Sequence, residues 1–136
     1  MDKTDEDLKA LAVEALKTAW SPYSGFSVGA ALLAEDGEVF TGANVENASY
    51  GLTVCAERVA VFKAVTAGHR SFRKLALVCD GDHPVTPCGA CLQVLREFAV
   101  DLPIVYGNVP GSFRTTSLKK LLPDAFAPED LGTKGA

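Results

Sequence analysis

Two short stretches hold the residues best suited to chemistry. In "NASYGLTVCAERVAVFKA" (47–64), Cys55 and Glu57 stand one alanine apart at what reads as a helix start. In "PCGAC", Cys88 and Cys91 are three apart at the start of another helix, on one face, so both sulfurs can reach a single ion. A CxxC pair has several meanings by itself, a redox motif among them. Cys55 at a neighbouring helix N-terminus adds a third thiol where helix dipoles favour the thiolate. Three protein ligands and one open position describe a catalytic zinc rather than a closed structural one. The open position holds water, whose pKa zinc lowers toward roughly 7, and Glu57 is the carboxylate close enough to take its proton. Alone, Glu57 could simply complement the helix dipole.

Three thiolates leave the zinc site with a net negative charge, which weakens its pull on the water. Arg58, three residues after Cys55 on the same helical face, can donate to the sulfurs and withdraw charge, or else be a solvated surface residue. Cys79, in "KLALVCD", reads as a buried mid-strand thiol on the face of Leu75 and Leu77. His83, five residues before Cys88, would close a Cys₃His site, although a loop beside Pro84 suits an exposed histidine. His69 has no partner in view.

Periodicity supplies the elements that must position these residues. Thr4 and Asp7 read as a helix cap before Leu8, Leu11, Ala12, Ala15, Leu16 and Ala19, and Pro22 and Gly25 close that helix. The apolar run 26–34, the Asp36–Gly37 turn and residues 39–43 read as a hairpin. Helices are predicted over 54–67 and 89–99, strands over 74–80 and 102–107, the latter as the last strand. Ser117 caps a short helix ending at Pro123. The hairpin is antiparallel, the two crossovers make the later strands parallel, and helices should cover both faces. Functional ends in such units are helix N-termini at the carboxyl edge of the strands. Cys55 and Cys88 both stand there.

Bulk properties narrow the class. A chain of 136 residues, 48% hydrophobic and 22% charged, fits one globular domain. A net charge of -4, with no basic run longer than Lys119–Lys120, argues against a nucleic-acid partner. No apolar run approaches membrane-spanning length, and the acidic start "MDKTDEDLK" is the reverse of a secretory leader. The expected location is therefore the cytoplasm, where four cysteines suggest a metal, a catalytic thiol or core filling before disulfides.

"CAE" followed by "PCxxC" resembles the zinc-dependent nucleoside and nucleobase deaminases. The chain is more similar still to the small homotetrameric cytidine deaminases. That resemblance runs from "SPYSGFSVGAALL" (21–33) through "GANVENASYGLTVCAER" (42–58) and "TPCGACLQVLREF" (86–98) to the tail around Phe126. It departs from the family's frequent Cys at Ser21, Pro at Ser27 and Pro at Gly51. None of these is an expected ligand, but they bear on the mouth of the pocket.

The resemblance implies an α/β fold, three layers α/β/α around a mixed five-stranded sheet. One domain would span 1–136, frayed from about 127. It implies hydrolytic deamination of cytidine and deoxycytidine to uridine and deoxyuridine plus ammonia, in pyrimidine salvage, with one zinc per chain on Cys55, Cys88 and Cys91. Glu57 would protonate N3 of cytosine and later carry a proton to the departing ammonia. The backbone around Ala56 would bond the pyrimidine edge, and Asn44 and Glu46 the ribose hydroxyls. Phe26 would pack on the base or sugar, or else be a strand-end core aromatic. Tyr50 and Phe126 would reach a neighbouring subunit's site in a homotetramer. Two competing readings are a deaminase of another aminopyrimidine nucleoside, such as blasticidin S, and a non-catalytic zinc-stabilised binding module.

Overall fold

The computed structural model describes residues 3–132. Its elements are α1 (Asp5–Leu16), β1 (Val28–Ala34), β2 (Val39–Ala43), α2 (Ala56–Thr66), β3 (Phe72–Cys79), α3 (Gly89–Arg96), β4 (Pro103–Asn108), β5 (Phe113–Ser117) and α4 (Leu118–Leu121). Short 3-10 turns lie at Tyr50–Leu52 and Pro128–Leu131. The strands form one mixed sheet in the order β2-β1-β3-β4-β5. β3 and β4 run parallel, and the other neighbouring pairs are antiparallel.

Strand period 2 divides the core into two layers. Ala30, Leu32, Leu75, Leu77 and Ile104 face α2 and α3, meeting Ala60, Val61, Ala64, Leu92 and Leu95. Ala31, Leu33, Ala76, Val78 and Val105 face the other way, onto Leu8 and Ala12 of α1. The expected α/β/α layering is thus present. The crossovers β2–α2–β3 and β3–α3–β4 step the same way across the sheet. A common right hand then puts both helices on one face, with both N-termini at the same sheet edge.

Local chemistry sets the element ends. Thr4 and Asp7 form a reciprocal capping box at α1. Gly37, at φ +96, makes the hairpin turn. Gly42 lets α2 sit close on β2: a Cβ there would lie 2.5 Å from the Ala56 carbonyl oxygen and 2.6 Å from the Ala60 nitrogen. The start of α2 is therefore fixed by backbone contact.

Four expectations are corrected. The last strand is β5, not β4; the edge stretch "FRTTS" has too few buried positions to show strand alternation. α1 ends at Leu16, short of Ala19, because the chain turns away so that Trp20 can pair with residues 44 and 46. Cys79 is the last residue of β3, not mid-strand, though buried as expected. Residues 127–132 hold a turn where fraying was expected: Asp130 accepts from the Ala127 N–H, and Arg96 pairs with Glu129 at 3.7 Å. Residues 133–136 lie outside the described residues. Among the described residues, no helix is long and apolar enough to cross a membrane.

Candidate metal centre and active site

Cys55 is the N-cap of α2 and Cys88 the N-cap of α3, and neither thiol caps its own helix. Both sulfurs are therefore free for something else. Cys91, one turn into α3, is fully buried. Cys55 Sγ lies 3.9 Å from Cys88 Sγ, and Cys88 Sγ lies 3.5 Å from Cys91 Sγ. Metal–sulfur bonds of about 2.3 Å in a tetrahedron place sulfurs roughly 3.8 Å apart, so the spacing fits a zinc ion. All the cysteines are free thiols.

Arg58 takes the sulfur-facing position: its Nη2 donates to Cys55 Sγ at 3.4 Å. The thiols share their protons unequally. The Cys91 thiol's hydrogen bond, with help from Arg58, holds Cys55 well below the ordinary thiol range. The same bond and burial push Cys91 up. Such a cluster ionises readily at Cys55 and holds the proton at buried Cys91, which a bound cation would displace.

Glu57 is 4% exposed. Burial, then the Cys55 charge, pushes its carboxyl up to about 7. It lines a cavity of about 270 Å³ together with Phe26, Asn44, Glu46, Cys55, Ala56 and Cys88. Seven expected site residues thus converge on one hollow. An adjoining hollow of about 350 Å³ is lined by Tyr50 and also touches Glu46. Phe126 lines neither hollow; its carbonyl accepts from Gln93 Nε2 at 2.7 Å and the residue is 57% exposed.

The polar wall is built by backbone bonds. The Asn44 Oδ1 accepts from the Val28 N–H at 2.9 Å, and its Nδ2 donates to the Phe26 carbonyl at 2.9 Å. Glu46 accepts from the Tyr23 and Ser24 N–H groups and from the Ser24 hydroxyl, which keeps it ionised. Each amide or carboxylate retains capacity for a ligand.

Sequence reasoning missed several wall residues: Ser24, Val28, Thr53, Leu77, Val85 and Thr86. Only Thr86, two residues before Cys88, carried a positional signal. His83 stands apart from the sulfurs and pairs with Asp82, 75% exposed. His69 does have partners: Nε2 lies 3.0 Å from Asp36 and 3.1 Å from Glu38, and the ring packs on Phe40. It ties the hairpin to the loop after α2.

A family model described as the cytidine and deoxycytidylate deaminase zinc-binding region matches residues 2–107. The chain belongs to the cytidine deaminase family. It is 52% identical over 127 residues to a cytidine deaminase of Sporosarcina psychrophila, covering 93% of each chain. A cytidine deaminase of Halalkalibacterium halodurans is 50% identical over 121 residues, 88% of this chain and 92% of that one. The crystal structure of a Burkholderia pseudomallei cytidine deaminase superposes at TM-score 0.87 with 50% identity, covering 91% of this chain and all of that one. Zinc is the metal of this family region, and the three-sulfur set fits it.

Metal analysis of single variants checks the ligand set. Cys55→Ala, Cys88→Ala and Cys91→Ala should each lose most zinc, and Cys79→Ala should keep about one ion per chain. Equal loss in Cys79→Ala and Cys88→Ala would contradict the assignment.

Proposed function

We propose that this chain hydrolyses cytidine and deoxycytidine to uridine and deoxyuridine, releasing ammonia. The observation that carries the reading is a buried carboxyl, Glu57, on the wall of the same cavity as Cys55 and Cys88. Cys55, Cys88 and Cys91 would hold zinc, which supplies an acidified water at neutral pH. Arg58 withdraws charge from the Cys55 sulfur.

Glu57 takes one proton from the water and delivers it to N3 of the pyrimidine as the water's oxygen bonds to C4. It then takes the second proton from that oxygen and passes it to the amino group, so that the C4–N bond breaks and ammonia leaves. A carboxyl raised toward neutrality can alternate between acid and base. Ala56 is the first residue of α2, so its N–H lacks a partner within the helix and is offered to the pyrimidine edge. Phe26 packs on the base or sugar, and Asn44 and Glu46 take the ribose hydroxyls. A fixed negative charge at Glu46 favours a nucleoside over a nucleotide, whose 5′-phosphate it would repel. The reaction serves pyrimidine salvage, and free thiols throughout suit the cytoplasm.

Assembly completes the pocket in this reading. Tyr50 is 74% exposed and Phe126 57%, with Trp20 and Leu52 also largely exposed. Aromatic side chains left open this way favour contact with other copies of the chain. The proposed unit is a homotetramer in which Tyr50 and Phe126 reach into neighbouring sites.

Incubation with cytidine, following loss of its ultraviolet band and release of ammonia, tests the activity. Preferential turnover of blasticidin S would shift the substrate, and zinc-dependent folding without turnover of either would leave a binding module. Glu57→Gln should keep zinc and fold while losing at least about 10²–10⁴-fold in turnover, since an amide cannot shuttle protons. Activity within about tenfold of the unaltered chain would assign the proton to another group.

Light scattering should find about four chains per particle, and Phe126→Ala should weaken nucleoside binding. A fully active monomer would refute the shared site and leave the zinc chemistry standing.

A further inference from the structure

The β1–β3 ladder ends at the pair Val28↔Cys79. One step further, the Asp80 N–H still donates to the Ser27 carbonyl at 3.1 Å. The return bond is different. The Ser27 N–H donates to the Asp80 side-chain Oδ1, at 2.9 Å, where a continuing ladder would use the Asp80 carbonyl. The carboxylate thus closes the ladder while the backbone turns off into Gly81. Such a bond to a charged acceptor is stronger than a neutral one.

Ser27 stands between Phe26 and Val28, both on the wall of the cavity, and is not itself on that wall. Its hydroxyl lies 2.8 Å from that of Ser21. The Ser21 backbone carbonyl accepts the Gly25 N–H at 3.0 Å, closing the loop that leads into Phe26.

Phe26 is held from two sides. Its carbonyl accepts from Asn44, and its N–H donates to the Ser24 hydroxyl at 3.0 Å. Its ring lies over Gly81: a Cβ at that residue would stand 2.8 Å from Phe26 Cε1. Gly81 is itself fixed through its carbonyl, which accepts from Asn108 Nδ2 at 3.1 Å. Asp80 therefore joins, through adjacent backbone, the segment that carries the ring and the surface on which the ring rests.

We propose that Asp80, acting through the Ser27 N–H with the Ser21 hydroxyl behind it, is a positioning residue that sets the Phe26 ring against bound nucleoside. This rests on the cytidine deaminase reading for its substrate. Because the ring would contact ground state and transition state alike, losing the clamp should act on KM more than on kcat.

The test is a double-mutant cycle with cytidine, joined to hydrogen exchange of the 24–28 backbone. Asp80→Ala should raise KM about three- to tenfold, with kcat within about twofold and zinc content unchanged. Asp80→Asn, which keeps an oxygen acceptor, should bring KM back to within about twofold. In a Phe26→Ala background, Asp80→Ala should add nothing to KM, since the two act as one unit. Exchange across 24–28 should quicken in Asp80→Ala and slow again in Asp80→Asn. Additive effects on KM, a fall in kcat at constant KM, or unchanged exchange would each overturn the proposal. Ser21→Ala, which removes only a hydroxyl, should shift exchange in the same direction and decides the matter if Asp80→Ala does not fold. The exchange arm holds even if the chain proves inactive on cytidine, so failure of the clamp and failure of the substrate reading are told apart.

Discussion

Three sulfurs within 4 Å of their neighbours can all be ionised only if a positive charge lies among them. Two helix N-termini and the Arg58 guanidinium supply part of that charge, and a divalent ion supplies the rest. The fold is arranged around meeting this condition. Crossovers of one hand bring the starts of α2 and α3 to the same sheet edge, and a side-chain-free Gly42 seats α2 directly on β2. Cys91, a turn deeper, is fully buried with its sulfur 3.5 Å from that of Cys88.

The same helix start that presents Cys55 also buries Glu57, two residues on. A carboxyl there is desolvated by the core and faces a thiolate, so both influences push it toward neutrality. The polar wall follows a different logic. Asn44 is locked by the Val28 N–H at the start of β1 and Glu46 by N–H groups from the loop before it, and Trp20 exchanges backbone hydrogen bonds with residues 44 and 46. That exchange requires α1 to stop early. A polar wall and a buried carboxyl therefore line one cavity, each fixed by backbone geometry.

The sulfur set was legible in the sequence because ligand spacing is local: Cys88 and Cys91 declare themselves, and periodicity places Cys55 at a comparable helix start. Both core layers followed from strand and helix periods. What stayed hidden depends on tertiary context. β5 is a polar edge strand whose pairing with β4 leaves no apolar alternation. His69 finds Asp36 and Glu38 across 33 and 31 residues of sequence, a contact set by the hairpin's placement beside α2. Leu77 and Val85 read as ordinary apolar residues and become cavity wall only once β3 and the following loop are folded. The Ser21–Ser27 contact shows the same limit: two serines six residues apart turn out to be one hydrogen-bonded unit.

X-ray absorption at the zinc edge tests the central claim most directly, because it counts the atoms around the metal. The account predicts three sulfur neighbours at about 2.3 Å and one lighter atom at about 2.0 Å, the lighter one being exchangeable solvent. Four sulfurs, or two sulfurs with two nitrogens, would mean a closed site built from other residues and would contradict it.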